Sequence, residues 1–135
     1  MADTEVEDLA QLDQYVRFWN ADGEEQSRLA AAVFAEGVEY RAMVGVLSGA
    51  EALIDLRKQF VAHLGAVALR LRRTPEVHHQ RARIEWELLT GGGEGEGTSF
   101  AEGTDMIQLD EDGRITAVTV FVDRVPEGFD GAAHH

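Results

Sequence analysis

The chain has 135 residues, an apolar fraction of 44%, no cysteine and a formal net charge of −13. A chain of this length forms one domain with its own core, and the acidic balance argues against partners that need a basic face, such as nucleic acids and anionic membranes. Without cysteine there are no disulfides, no thiol catalysis and no thiolate metal sites.

The composition also indicates where the protein works. Residues 1–7 are acidic and lack the basic and apolar regions of a signal peptide, and no apolar run approaches membrane-spanning length. We therefore expect a cytoplasmic protein. One lysine against eleven arginines, with abundant Ala and Gly, suggests a GC-rich bacterial genome. We expect one domain over residues 1–125 and a tail over 126–135.

The first third of the chain predicts two helices. Helical spacing of apolar residues covers about 4–20 and again about 24–34, with Asp22 as a plausible N-cap for the second helix. The apolar stripe of the first helix, with Tyr15 beside it, consists of Leu9, Leu12, Val16 and Trp19.

The middle third predicts a strand, an apolar loop and a helix. Alternation over 38–41 predicts a short strand with Val38 and Tyr40 on one face. Residues 42–48 read as an apolar loop that covers another part of the protein. A third helix is predicted over 49–64, with Leu53, Leu56 and Phe60 as its stripe.

Four strands are predicted after the third helix. They cover residues 66–72, a segment that begins at Arg81, residues 98–109 and residues 114–123. In the second of these strands Trp86 faces inward, and Glu85 and Glu87 face outward. Residues 91–97, rich in Gly, are predicted to form a hairpin loop.

Asp105 interrupts the apolar pattern of the third of these strands. It shares a face with Ile107, so its carboxylate must either reach water or line a cavity. A carboxyl group that lines a cavity has a raised pKa, and its protonated form can donate a hydrogen bond to a ligand. The alternative is a structural Asp bonded to the backbone or to an Arg.

This order of elements predicts an α+β fold. Helices that are segregated from a run of antiparallel strands pack on one face of the sheet. A curved antiparallel sheet wrapped around the N-terminal helices makes a cone-shaped α+β barrel, and the open end of a cone is a natural small-molecule site.

Several local strings, in their order and spacing, resemble the NTF2-like superfamily, which includes the SnoaL-like polyketide cyclases and the ketosteroid isomerases. The resemblance extends from Tyr15 to Asp123. Its main pieces are YVRFWN at 15–20, FAEGVEY at 34–40, LSGAEAL at 47–53, and the segment from Asp105 through GRI at 113–115 to Phe121. The resemblance implies the fold but no particular activity, because this fold hosts many chemistries.

Ketosteroid isomerases use a first-helix Tyr and a protonated Asp on a late strand as an oxyanion hole, with an Asp base near the first strand. By this resemblance Tyr15 and Asp105 occupy the two donor positions. The position of the base falls on Tyr40, and a neutral Tyr is a poor base at pH 7.

The cyclase resemblance needs only one acid–base residue in an apolar cavity. It implies an enzyme in which Asp105 acts as acid or acid–base residue on a small apolar carbonyl compound, Tyr15 steadies the oxyanion, and no metal or organic cofactor takes part. A non-catalytic ligand-binding or accessory module is the alternative.

The substrate-binding residues are expected to be mainly apolar. Val118, Val120 and Val122 share one strand face, whereas Phe121 faces the other side, where an apolar outer surface would suit a homodimer. The predicted substrate-binding set is Tyr40, Trp19, Phe60, Trp86, Ile107, Val118, Val120 and Val122.

Three histidines are candidates for other roles. His78 and His79 are adjacent, and neighbouring residues on a strand point to opposite faces, so we expect no metal site there. His63 and His78 are the candidates for a missing general base, although ordinary surface positions are the simpler interpretation.

Overall fold

The computed structural model describes residues 2–43, 45–91 and 98–124, with side chains from Asp8 onward. Three helices and seven strands follow in the order α1 (Ala2–Trp19), α2 (Gly23–Val33), β1 (Phe34–Ala42), β2 (Gly45–Ser48), α3 (Ala50–Leu64), β3 (Val67–Leu71), β4 (Glu76–His78), β5 (Arg81–Thr90), β6 (Thr98–Leu109) and β7 (Ile115–Arg124). None of the described helices is long and apolar enough to cross a membrane.

The strands form one curved, unclosed sheet with the order β2-β1-β7-β6-β5-β3, and β4 pairs with β5 outside this path. The predicted cone-shaped α+β fold is confirmed. The sheet is mixed, however, because β1 runs parallel to β7 while the other pairs are antiparallel. Alternation along single strands gives no information about this non-local pairing, which the prediction of a purely antiparallel sheet therefore missed.

The core forms where α1 packs against the inner face of the sheet. Leu12, Tyr15 and Phe18 are fully buried, and Trp19 is nearly so. The predicted stripe was off by about one position, since Leu9 is 38% exposed. Tyr15 therefore lies in the middle of the buried face of α1, not beside it.

The segment from 42 to 48 is a β-hairpin and not a covering loop. β2 pairs antiparallel with β1, from Glu39 opposite Ser48 to Ala42 opposite Gly45. Met43 and Val46 at its tip are each 62% exposed. Pairing with β1 satisfies the polar backbone of Gly45–Ser48 and places this strand at the edge of the sheet.

Two turns fix the ends of β6 and β5. The predicted turn after β6 is confirmed: the Asp110 Oδ1 accepts hydrogen bonds from the backbone N–H groups of Asp112 and Arg114. Before β5, His79 and Gln80 both have positive φ, 51° and 62°, and they close a tight hairpin between β4 and β5. Consecutive positive φ values are typical of a two-residue hairpin turn.

Candidate functional site

Asp105 lies in the middle of β6 with its side chain inside the fold. It is 3% exposed, and the next inward residue, Ile107, is 1% exposed, whereas Met106 between them is 44% exposed. In the neighbouring strands Ile84 lies opposite Asp105 on β5 and Val120 lies opposite on β7. The alternation of β6 thus buries a carboxyl group between apolar neighbours, as the sequence predicts.

Two neutral donors bind the two oxygens of this carboxyl group. The Tyr15 hydroxyl donates to Oδ2 over 2.8 Å, and the indole Nε1–H of Trp86 donates to Oδ1, also over 2.8 Å. Each such bond to a charged group contributes about 1.5–3 kcal/mol. Asp105 is therefore held by a tyrosine and a tryptophan, not by the Arg or backbone partner of the structural alternative.

Burial raises the pKa of Asp105 to about 6, against the opposing effect of the hydrogen bonds from Tyr15 and Trp86. Burial disfavours the charged carboxylate, whereas both donors favour it. At pH 7 most of the molecules therefore carry an ionised Asp105, which can accept a proton. A buried carboxyl group that titrates near neutrality is typical of acid–base sites.

Tyr15 and Tyr40 remain protonated donors in this environment. Burial, and then the nearby charge of Asp105, raise the pKa of both hydroxyls well above 10. Tyr40 is 9% exposed and belongs to the same electrostatic neighbourhood, because its side chain also raises the pKa of Tyr15. The site thus combines one proton acceptor with two hydroxyl donors.

Aromatic rings surround these polar groups. The Trp19 ring centroid lies 5.7 Å from that of Tyr40, 6.3 Å from that of Tyr15 and 6.5 Å from that of Phe60. Phe60 is half-buried, and it brings α3 into this cluster through its contact with Trp19. Three of the residues predicted to bind substrate, Trp19, Tyr40 and Phe60, are therefore brought together with Tyr15.

Four further residues of the predicted substrate-binding set follow the inner face of β6 and β7. Ile107 pairs with Val118, and both are fully buried, while Val120 lies opposite Asp105 and is partly buried. Val122 lies opposite Gly103 and is 38% exposed. Its side chain is on the predicted face, but near the end of the strand.

Gly103 is a residue of the site that the alternation of apolar residues does not predict. It lies opposite Trp86 in the β5–β6 ladder. A Cβ at this position would come within 2.2 Å of Trp86 Cζ2 and 2.7 Å of the Phe121 carbonyl oxygen. The indole therefore rests on the bare backbone of Gly103. An inward Trp facing a strand glycine was the available signal, because such a glycine often marks a close approach.

The three histidines lie outside this buried cluster. His63 on α3 is exposed, and its Nδ1 is 2.9 Å from the Gln59 carbonyl oxygen. His78 and His79 are also exposed, with their Nδ1 atoms 3.1 Å apart. The expectation that these two rings point to opposite faces was wrong, because His79 belongs to the turn and not to a strand. The residues that the structure describes contain no group of three or more metal-ligating side chains.

A surface cleft of about 490 Å³ lies elsewhere, between the N-terminal half of α1 and the turns that precede β5 and β7. Its described lining contains none of the predicted site residues. The lining consists of Asp8, Gln11, Gln80, Asp110, Glu111, Asp112 and Gly113.

The SnoaL-like domain family matches residues 12–118. The chain belongs to this family. The match includes Tyr15, Tyr40, Trp86 and Asp105, so the whole buried cluster lies within the SnoaL-like domain. No curated protein matches the chain at a significant level.

Solved structures agree with this assignment. A candidate isomerase of the SnoaL-like family from Agrobacterium tumefaciens is 25% identical, with a TM-score of 0.75 over 87% of this chain and 98% of that one. A candidate SnoaL-like polyketide cyclase from a Jannaschia species is 10% identical, with a TM-score of 0.70 over 87% and 86% of the two chains. An NTF2-like protein of unknown function from an Exiguobacterium species is 17% identical, with a TM-score of 0.66 over 84% and 98%.

Proposed function

We propose that this SnoaL-like protein is an enzyme that performs cofactor-free acid–base chemistry, a cyclisation or an isomerisation, on a small apolar carbonyl compound. The observation that carries the proposal is the buried Asp105, which has a pKa of about 6 and two neutral donors, Tyr15 and Trp86, on its oxygens. The similarity to a candidate isomerase and a candidate polyketide cyclase supports the same reaction classes.

In this proposal the ionised Asp105 is the general base. It takes a proton from the carbon next to the substrate carbonyl, and the electrons of the broken C–H bond move to the carbonyl oxygen to give an enolate. The hydroxyl groups of Tyr15 and Tyr40 stabilise that oxygen. If the enolate is conjugated with a C=C bond, return of the proton to the far carbon completes an isomerisation. In a cyclisation the enolate carbon attacks a second carbonyl, the π bond of that carbonyl breaks, and Asp105 returns its proton to the resulting alkoxide.

This assignment supplies the base that the comparison with ketosteroid isomerases left open. Tyr40, at the position expected for the base, has a pKa raised well above 10 and cannot accept a proton near pH 7. Asp105, with its pKa of about 6, is suited to accept a proton and to return it. One carboxyl group therefore serves as both base and acid in turn.

The apolar side chains around Asp105 set the substrate class. Trp19, Phe60 and Val120 offer aromatic and aliphatic surface, and Asp105 is the charged group that acts on the two tyrosines. Such surroundings favour an uncharged substrate with much apolar surface, such as a polyketide or a terpenoid, and they disfavour an anionic one.

A non-catalytic ligand-binding or accessory module is the second candidate. It is favoured by the completeness of the internal hydrogen bonding, since both oxygens of Asp105 already have partners within the core. It is also favoured by the position of the cleft, whose described lining is separate from Asp105. In this alternative, the polar cluster fixes the packing of α1 on the sheet.

Proton exchange on carbon separates the two candidates. In deuterated buffer, the protein is incubated with a panel of apolar ketones and β-dicarbonyl compounds, and NMR follows the exchange of the protons next to each carbonyl. The enzyme accelerates exchange for at least one compound, the Asp105→Asn variant abolishes the acceleration, and Asp55→Asn, at an exposed position on α3, retains it. Binding of a ketone without exchange would favour the module.

We also propose that two copies of the chain form a homodimer through the outer face of the sheet. On the outer face of the sheet, Phe121 is 55% exposed and Met106 is 44% exposed. Since Met106 lies opposite Thr119 and Phe121 lies opposite Thr104, the two apolar side chains are diagonal neighbours on this face. They would form the centre of a contact between two copies of the chain.

Three further expectations remain predictions. They are the cytoplasmic location, the bacterial origin and the single domain over residues 1–125. The predicted tail over 126–135 lies outside the described residues.

A further inference from the structure

We propose that Trp86, held in place by Gly103, assigns different roles to the two oxygens of Asp105, so that the carboxyl group binds its proton on Oδ2, next to Tyr15. The assignment makes Trp86 and Gly103 positioning residues for the acid–base site. Where the proton sits follows from the hydrogen bonds alone, whereas its consequence for catalysis rests on the function proposed above.

The argument begins with the chemistry of the indole group. The Nε1–H of a tryptophan can donate a hydrogen bond but cannot accept one. It lies 2.8 Å from Oδ1 of Asp105, so this oxygen must act as an acceptor in every protonation state. A proton on Oδ1 would point at a second donor and would break this buried bond. The proton of the neutral carboxyl group is therefore expected on Oδ2.

Oδ2 has a different kind of partner. It lies 2.8 Å from the Tyr15 hydroxyl, which can either donate or accept a hydrogen bond. When Asp105 is ionised, Tyr15 donates to Oδ2. When Oδ2 carries the proton, the direction of the bond reverses, because the carboxyl O–H now donates to the Tyr15 oxygen. The hydroxyl proton of Tyr15 is then free to donate elsewhere.

This reversal couples the two steps of the proposed reaction. Asp105 becomes protonated when it removes the substrate proton, and at that moment negative charge develops on the substrate oxygen. The same event releases the Tyr15 hydroxyl from Asp105. A donor for the enolate thus becomes available when it is required, which agrees with the role of Tyr15 as the residue that steadies the oxyanion.

Gly103 makes the position of the indole possible. A methyl group there would lie within 2.2 Å of Trp86 Cζ2, a distance that the packed ring cannot tolerate. Arg72 adds to this fixation from the backbone side: its guanidinium donates to the carbonyl oxygens of both Trp86 and Gly103 over 3.0 Å. Arg72 therefore links β5 to β6 at the point where the Trp86 indole lies over Gly103.

Few other groups compete for the proton. Among the described residues, the titratable side chains that interact with Asp105 are Tyr15 from α1 and Tyr40 from β1, and both stay neutral. The directly opposite residues on β5 and β7, Ile84 and Val120, carry no charge. The site therefore titrates essentially as one carboxyl group.

The first test follows the indole proton of the unaltered protein. In a ¹H–¹⁵N spectrum recorded from pH 4.5 to 8, we expect the Nε1–H resonance of Trp86 to move with a midpoint near 6, the pKa of Asp105. The only other indole in the chain, Trp19, hydrogen-bonds to Tyr15 and not to Asp105, so its resonance should move less than that of Trp86. A Trp86 resonance that stays constant through the titration of the Asp105 carboxyl carbon overturns the proposal.

The second test removes the donor. Trp86→Phe keeps an aromatic ring but loses the N–H, so the pKa of Asp105 should rise by about 1, equivalent to a tenfold change in proton affinity. Gly103→Ala should raise it in the same direction by displacing the ring. In the double variant the two effects should not add, because both act through the same bond. An unchanged pKa in Trp86→Phe, or full additivity, contradicts the proposal.

These outcomes are independent of turnover. If the titrations behave as expected but no ketone exchanges its protons, the proton placement holds and the enzymatic function fails. If exchange depends on Asp105 but the indole resonance does not titrate, the function holds and the role of Trp86 fails.

Discussion

Tyr15 on α1 and Asp105 on β6 are 90 residues apart in the chain and are joined by a buried hydrogen bond of 2.8 Å. This bond connects the first helix to the centre of the sheet. It also places the charge of Asp105 next to a phenol that stays protonated. The packing of the fold and the chemistry of the site therefore depend on the same pair of residues.

The stability of the Asp105→Asn variant relative to wild type should depend on pH in a defined direction. Asn can keep both contacts, with its Oδ1 accepting from Trp86 and its amide donating to Tyr15, so it imitates the protonated site. The wild-type pKa of about 6 lies above the ordinary value of 3.8. The unfolded chain thus ionises first, and folding loses up to about 3 kcal/mol as pH rises from about 4 through 6.

Urea denaturation at pH 4, 6 and 8 checks this prediction. The free energy of unfolding of Asp105→Asn, relative to wild type, should rise by about 2.5 kcal/mol between pH 4 and pH 8. The other carboxyl groups are common to both proteins and cancel in the difference. A difference that is constant with pH would mean that Asp105 has an ordinary pKa in the folded state.

The sequence contained enough information to place Asp105 and Tyr15 but not to find all their partners. Strand alternation buried Asp105 beside Ile107, and the resemblance put Tyr15 opposite it. The role of Trp86 as a donor could not be read from its position, since an inward Trp is equally consistent with plain packing. Only the strand register, which sets Trp86 against Gly103, turns the indole toward the carboxyl group.

Arg72 should matter far more for stability than its neighbour Arg73. Arg72 donates to the carbonyl oxygens of Trp86 and Gly103 and to the Asp123 carboxylate, with a side chain that is 26% exposed. Arg73 has an ion pair with Glu85 and a side chain that is 67% exposed. We expect Arg72→Ala to lower the free energy of unfolding by about 2 kcal/mol.

Arg73→Ala is the matched control, and it should cost less than about 1 kcal/mol because exposed ion pairs contribute little. Each variant loses one positive charge, so the two have the same net charge. Chemical denaturation of the two variants therefore compares the contacts of Arg72 and Arg73 directly. Equal losses in the two variants would argue that the carbonyl contacts of Arg72 do not stabilise the β5–β6 ladder.

The strands that were missed have a common physical cause. β2 and β4 are only four and three residues long, too short for alternation to be visible. The turn between β4 and β5 uses His79 and Gln80 at positive φ, where Gly or Asn is usual, so the typical hairpin signal was missing. Long strands such as β5 were easy to predict because apolar and charged residues alternate along them.

The outer face of the sheet should control the oligomeric state. In the proposed dimer, Phe121→Glu places a charge at the centre of the contact and should convert the dimer to a monomer, as measured by light scattering during size-exclusion chromatography. Val61→Glu, at a 37% exposed position on α3, is the control and should leave the dimer intact. A wild-type protein that is monomeric at all concentrations would exclude this proposal.

The central claim is that burial raises the pKa of the Asp105 carboxyl group and that the hydrogen bond from Tyr15 opposes this rise. The most direct measurement is a ¹³C NMR titration of the Asp105 carboxyl carbon in wild type, in Tyr15→Phe and in the control variant Tyr40→Phe. We predict a midpoint near 6 in wild type, a higher midpoint when the Tyr15 hydroxyl is removed, and little change when the Tyr40 hydroxyl is removed. A wild-type midpoint near the ordinary value of 3.8, unchanged in Tyr15→Phe, would contradict the account.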